Sequence, residues 1–192
     1  FQAVSQLPCR PFDAARDGIN LGEGAGTVIL TSNKKYSYGV KIGGGSVSND
    51  ANHISGPSRT GEELSLAINK TLQASGIFAK DIGFISAHGT ATIFNDEMEA
   101  KAIGLSGLQE VPVNSLKGYY GHTLGAAGLI ESIISIQSLK ENLVLPTRGF
   151  HTSGVSQPVN ICSSVYKSTG AHFLKTASGF GGCNAAMVFS KQ

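Results

Sequence analysis

Two histidines in matching local settings constrain this chain more than any other feature. His88 follows the short apolar run 82–87 and opens into Gly89-Thr90-Ala91-Thr92, with Asp96 and Glu99 just beyond. His122 follows the short apolar run 111–114 and a glycine-bearing loop that carries Lys117. It precedes Gly125-Ala126-Ala127-Gly128 at the start of a long apolar stretch. An α/β protein places its chemistry at the carboxyl ends of strands, so the two junctions predict one cleft in an α/β fold. Neither junction contains a convincing nucleophile.

The surrounding segments fill in that fold. Residues 26–31 read as a buried strand, 38–46 as a second strand that alternates until its glycines, and 48–58 as a loop. Thr60 reads as the N-cap of a helix with Glu63 in the capping-box position. Leu64, Ala67, Ile68, Thr71 and Leu72 share one face of that helix, and Gly76 closes it. A second helix begins at Asn95-Asp96. A third runs from Leu124 to about Glu141 and is apolar around much of its circumference, which predicts burial. Glu131 inside it then needs a partner. A short strand is expected near 159–162. Two more strands, 171–178 and 184–190, close the chain, joined by Gly179-Phe180-Gly181-Gly182. This order fits a layered α/β domain.

Composition sets limits on function. With 192 residues the chain can bury a real core, and charged residues make up only 15%. That low fraction implies little solvated face, or a surface covered by something else. A net charge of +2 is too small to argue for nucleic acid, and no apolar run reaches the ~20 residues of a membrane span. Cys9, Cys162 and Cys183 are widely spaced and form no CxxC pair, which argues against a metal site and for a reduced, cytoplasmic compartment. Cys9 and Cys183 read as buried packing residues. The chain begins at Phe1 rather than Met, which reads as a start inside a longer protein or as processing.

A lone histidine at a strand end is as readily structural as functional. His122 changes the balance, because a helix amino terminus disfavours a charged imidazolium. A neutral histidine there can donate an N–H to a developing oxyanion. Lys117 adds a cation to the same loop, and Asp96 and Glu99 can orient these groups. Phe180, hung between Gly179 and Gly181, reads as a core-packed turn residue or as a mobile gate.

Taken together, these motifs resemble the carboxyl-terminal half of a β-ketoacyl-acyl-carrier-protein synthase, the condensing enzyme of fatty acid and polyketide synthesis. The matching segments run in the family's order: Arg10–Gly18 with Gly22–Gly26, Ser48–His53, His88–Thr92 with Asn95-Asp96, Lys117–Gly128, and Gly179–Gly182 with Asn184-Ala185. The resemblance covers essentially the whole chain. It implies a thiolase-like fold, of which residues 1–192 form one half of a layered αβαβα architecture with a mixed sheet. It also implies an acyltransferase with a Cys-His-His site whose cysteine lies in an absent amino-terminal half. His88 and His122 would stabilise the enolate formed as malonyl thioester loses carbon dioxide. Lys117 would support them, Glu99 would be the acidic partner in that network, and Asp96 would assist. Thr90 and Thr92 would meet the pantetheine arm, and Phe180, with Gly179 and Gly181, would gate the acyl pocket. The implied partners are acyl carrier protein, the missing half and a second subunit in a homodimer or heterodimer. No cofactor or metal is expected beyond the carrier's phosphopantetheine.

Two local departures from the family pattern bear on the pocket: Tyr119-Tyr120 in place of a smaller pair, and Ser178 where a phenylalanine is frequent. Two other readings remain open: a non-catalytic partner of the chain-length-factor type, and a degradative thiolase using coenzyme A, which the histidine motifs fit poorly. A half-domain should also expose the apolar surface that its other half covers, including parts of the 124–141 helix.

Overall fold

The computed structural model describes residues 3–192; Phe1, and the reading attached to it, lies outside the described residues. The strands are β1 (Val40–Asn49), β2 (Ile82–Ser86), β3 (Val113–Asn114), β4 (Leu143–Val144), β5 (Tyr166–Lys167), β6 (His172–Gly179) and β7 (Cys183–Lys191). Five of them form a mixed sheet in the order β1-β7-β6-β2-β3, and β4 and β5 form a small antiparallel ribbon. In the large sheet β2 runs parallel to both β3 and β6, while β7 runs antiparallel to β6 and β1. The helices are α1 (Glu62–Ser75), α2 (Ile93–Leu105), a single turn α3 (Lys117–Tyr120) and α4 (Ala127–Glu141).

Alternation along the strands divides the core in two. Ile85, Leu174 and Val188 turn to one side and pack with Leu64 and Ile68 of α1 and Met98 and Ile103 of α2. Their neighbours Phe84, Phe173 and Phe189 turn to the other side, against Leu139 of α4. The three rings stack, with centroids 5.0 and 4.7 Å apart.

Four local expectations are corrected. Residues 26–31 form no strand. The run lies along α4, with Gly26 against Leu129, Ile130 and Ile133, and no strand among the described residues pairs with it. Ile29 is left 88% exposed. The α1 capping box does not form: Gly61 stands at the N-cap, the helix begins at Glu62, and the Thr60 hydroxyl bonds the Ser58 hydroxyl at 3.2 Å and accepts from the Glu62 amide at 3.4 Å. The expected strand at 159–162 is reduced to a single bridge, Ile161 to Val113, because β3 is only two residues long. Cys183 is exposed at the start of β7, whereas Cys9 and Cys162 are buried. Gly76 does close α1, its N–H reaching the carbonyls of Leu72 and Gln73.

The long helix departs from expectation in a more instructive way. It starts as a 3-10 turn over Leu124–Ala126 and continues as α4 to Glu141. Its buried residues are Ala127, Glu131, Ser135, Ser138 and Leu139, while Leu129, Ile130, Ile133 and Ile134 are only partly covered. These apolar side chains, the 26–30 run and the neighbouring face of β1 and β7 line an open cleft of about 1630 Å³. The apolar surface expected of a half-domain is therefore present, and it includes α4. Among the described residues no helix is long and apolar enough to cross a membrane.

Candidate active site

Parallel pairing brings the two junctions together. Ile85 and Ser86 of β2 stand opposite Val113 and Asn114 of β3, so the loops beginning at His88 and Ser115 leave the sheet side by side. Gly89 has φ +45°, and a Cβ there would lie 2.5 Å from the Ser115 side chain; only glycine allows the two loops to approach this closely. After α3, Gly121 at φ +78° turns the chain against the backbone of Asn20 and Leu21. The His122 N–H then donates to the Asn20 carbonyl at 2.7 Å, and its own carbonyl accepts from Gly22 at 3.0 Å. The 20–22 segment therefore clamps the backbone of the second histidine.

The result is an edge-to-face histidine pair, with ring centroids 5.1 Å apart and planes at 82°. Their tautomers follow from their neighbours. The Lys117 ammonium lies 3.2 Å from His88 Nδ1, and an ammonium can only donate, so Nδ1 accepts and the ring proton sits on Nε2. His122 Nδ1 accepts from the Leu124 N–H at 3.0 Å, which leaves its proton on Nε2 as well. Leu124 makes that contact from a left-handed backbone, φ +53°, a conformation that costs a non-glycine residue free energy and is held by its surroundings.

Both rings are neutral. Burial, helped by the positive charges of Lys117 and Lys175, holds His88 well below its ordinary pKa. Burial with the same two lysines brings His122 down to about 4, against the opposing pull of Glu131. Two neutral imidazoles therefore present two Nε2–H donors.

The acids divide the supporting work. Glu99 serves the His88 end of the network. Its carboxylate accepts the backbone N–H groups of His88 at 2.9 Å and Gly89 at 2.6 Å, together with Asn95 and the Thr176 hydroxyl. α2 carries it to the backbone N–H groups of the His88 loop, whereas Lys117 donates to the His88 carbonyl. The partner of Lys117 is Glu131 of α4, at 2.6 Å, which answers the question that an acid in an apolar helix raised. Asp96 pins the first segment of the chain to the loop, accepting from Phe12 N at 2.7 Å and Thr90 N at 2.9 Å. Burial and the Glu99 charge lift its pKa to about 7, against the pull of the hydrogen bonds from Phe12 and Asn95 and of Arg16.

Thr90 and Thr92 join hydroxyls at 2.8 Å beside His88. Phe180 lies on the turn between β6 and β7 and is 74% exposed, so it is not a core-packed residue. The residue that sequence reasoning missed is Lys175. It is buried on β6 with its ammonium 2.6 Å from the second oxygen of Glu131. A lysine beside Phe173 and Leu174, in a strand expected to be buried, was the available signal. Cys9 is unsuited to act as a nucleophile, since burial and Asp96 push its thiol up to about 12.

Comparison with known proteins places the chain in a family. Residues 38–151 match the family described as "Beta-ketoacyl synthase, C-terminal domain". The chain is 34% identical to the 3-oxoacyl-[acyl-carrier-protein] synthase 2 of Vibrio cholerae serotype O1, over 97% of this chain and 48% of that protein. Among solved structures it resembles the ishigamide ketosynthase/chain length factor, with a TM-score of 0.93 and 27% identity over 100% of this chain and 49% of the other. It also resembles AntDE:AntF, a type II polyketide synthase acyl-carrier protein in complex with its ketosynthase bound to the hexaketide. There the TM-score is 0.87 and the identity 28%, over 96% of this chain and 48% of the other. The chain spans about half the length of the curated relatives it matches.

Proposed function

Since this chain belongs to the β-ketoacyl synthase family, as its carboxyl-terminal domain with a thiolase-like fold, we propose that it supplies the histidine side of a decarboxylative Claisen condensation. The observation that carries this reading is the pair of Nε2–H donors on His88 and His122, fixed by Lys117 and by the Leu124 amide. The cysteine belongs to the other half of the fold. It holds the growing acyl chain as a thioester, and malonyl-carrier protein enters with its own thioester carbonyl between the two imidazoles. Loss of carbon dioxide leaves an enolate, whose oxygen takes the two N–H bonds. The enolate carbon attacks the acyl thioester, a carbon–carbon bond forms, and the cysteine leaves as thiolate.

Neutral donors suit this task. They strengthen as charge develops on the oxygen and need no proton transfer to do so. Thr90 and Thr92 would bond the pantetheine arm, and Phe180, with Gly179 and Gly181, would gate the acyl side. Lys117 acts through His88, and Glu99 through the His88–Gly89 backbone. A carrier protein is the expected partner, as the AntDE:AntF relative is described with one. The apolar cleft beside α4 is where the other half would cover this one.

The test is malonyl-carrier decarboxylation by the whole polypeptide. His88→Ala and His122→Ala should each lower its rate by about 10²–10³-fold while the cysteine still accepts an acyl group. Undiminished decarboxylation in either variant would falsify the assignment. It would also favour the chain-length-factor reading, in which these side chains only shape a pocket.

A further inference from the structure

Lys117 has three donors and uses them all, on the His88 carbonyl at 2.5 Å, on His88 Nδ1 at 3.2 Å and on Glu131 Oε1 at 2.6 Å. Glu131 is fully buried, and with Lys117 alone its second oxygen would have no counter-charge. Lys175 meets that oxygen at 2.6 Å. Its ammonium also donates to the carbonyls of Ser86 and Ala87, at 3.1 Å each. Those are the last two residues before His88, and Ser86 is the register partner of Lys175 between β2 and β6. One side chain therefore touches both the acid that holds Lys117 and the strand end that delivers His88.

We infer that Lys175 is a positioning residue for the two histidines: it takes up the second oxygen of Glu131, so that Lys117 keeps its donors on His88, and it sets the net charge that the paired imidazoles face. This rests on the proposed use of the histidines as neutral donors, but its test reads the imidazoles directly.

The charged groups around the pair come from several elements. Lys117 stands on α3, Glu131 on α4 and Lys175 on β6, while Glu99 and Asp96 approach from α2. The two ammonium ions and one carboxylate that form a continuous chain of contacts carry one net positive charge. Lys175→Met makes that trio neutral, Glu131→Gln raises it to two positive charges, and the double variant restores one. Nearby positive charge disfavours an imidazolium, and Lys175 is among the groups that hold both histidines low.

The experiment is an NMR titration of ring-labelled histidines in the whole polypeptide. In Lys175→Met the His122 midpoint should rise by about one pH unit from the parent. In Glu131→Gln it should fall below the parent, and in the double variant it should return close to it. Lys175→Arg, which keeps the charge, should leave it unmoved. A lysine that merely packs would give no such order. Should Lys175→Met fail to fold, Glu131→Gln against the double variant carries the same comparison, since loss of Lys175 must still raise the midpoint. An unmoved midpoint on removing Lys175, or a double variant that stays displaced, overturns the inference. The expected order of midpoints without any malonyl decarboxylation leaves the inference standing and sinks the proposed function instead.

Discussion

Helices α1 and α4 lie on opposite faces of one sheet and are built in opposite ways. In α1 the face towards the sheet is Leu64, Ala67, Ile68, Thr71 and Leu72, and the face away carries Glu62, Asn69, Lys70 and Gln73. That is the ordinary amphipathic helix. In α4 the buried face is Ala127, Glu131, Ser135, Ser138 and Leu139, and the apolar side chains Leu129, Ile130, Ile133 and Ile134 point where cover is incomplete. α1 is finished by this chain alone. α4 has a polar inner face because that face holds the site, and an apolar outer face suited to a second layer. The difference is what a helix in the middle of an αβαβα arrangement requires.

The largest expected effect tests the inner face of α4. Glu131→Leu is close in size but strands two buried ammonium ions, so it should lower stability by about 3–5 kcal/mol. The matching change in α1, Thr71→Val, loses only a hydrogen bond to the Ala186 carbonyl and should cost about 1 kcal/mol. Urea unfolding of the two variants measures both, and equal losses would break the contrast. The outer face comes next. Ile68→Ala in α1 should cost about 2–5 kcal/mol, while Ile133→Ala, at a residue 37% exposed, should stay within about 0.5 kcal/mol in these 192 residues alone. If α4 is a middle layer, the Ile133 cost rises into the core range once the other half is present. An Ile133 cost that is core-sized already in the 192-residue chain would mean that α4 is complete without a second layer.

The same contrast explains what could be read from the sequence. Short runs of strand character placed β2, β6 and β7 because their partners lie in this chain, and the ordered histidine motifs placed His88, His122 and Lys117 in one cleft. The run 26–31 has the composition of a strand, but composition does not say which chain supplies the pairing edge. Apolar periodicity alone indicates that α4 is covered, not by what. The Glu131 contacts were harder still. Lys117 and Lys175 lie 14 residues before it and 44 residues after it, and they meet it only because β2, β3 and β6 are parallel neighbours in register. Glu99, at a fitting distance from His88 in sequence, instead serves the backbone.

The smallest expected effect concerns how the two helices begin. α1 opens with Glu62 and Glu63, whose charge suits the positive end of a helix dipole. α4 and the 3-10 turn before it have no acid in their first turn; His122 stands there instead and accepts the Leu124 N–H. In the folded protein burial keeps that imidazole neutral down to about pH 4, whereas its ordinary value is 6.5. The unfolded chain therefore binds a proton that the folded chain refuses between those two values. Stability carried through His122 must then grow as pH rises across that window, level off above it, and be lost as pH falls through it. Because His122 is only partly buried, the change should be about 1 kcal/mol rather than the full value of the shift. The difference in unfolding free energy between the parent and His122→Phe isolates it, since the other titrating groups, Asp96 with its opposite slope included, are common to both. A difference that stays flat or shrinks from pH 4 to 6.5 would mean that His122 carries a proton in the folded protein. The start of α4 would then place a cation at the positive end of a helix, and the neutral-donor basis of the site would go with it.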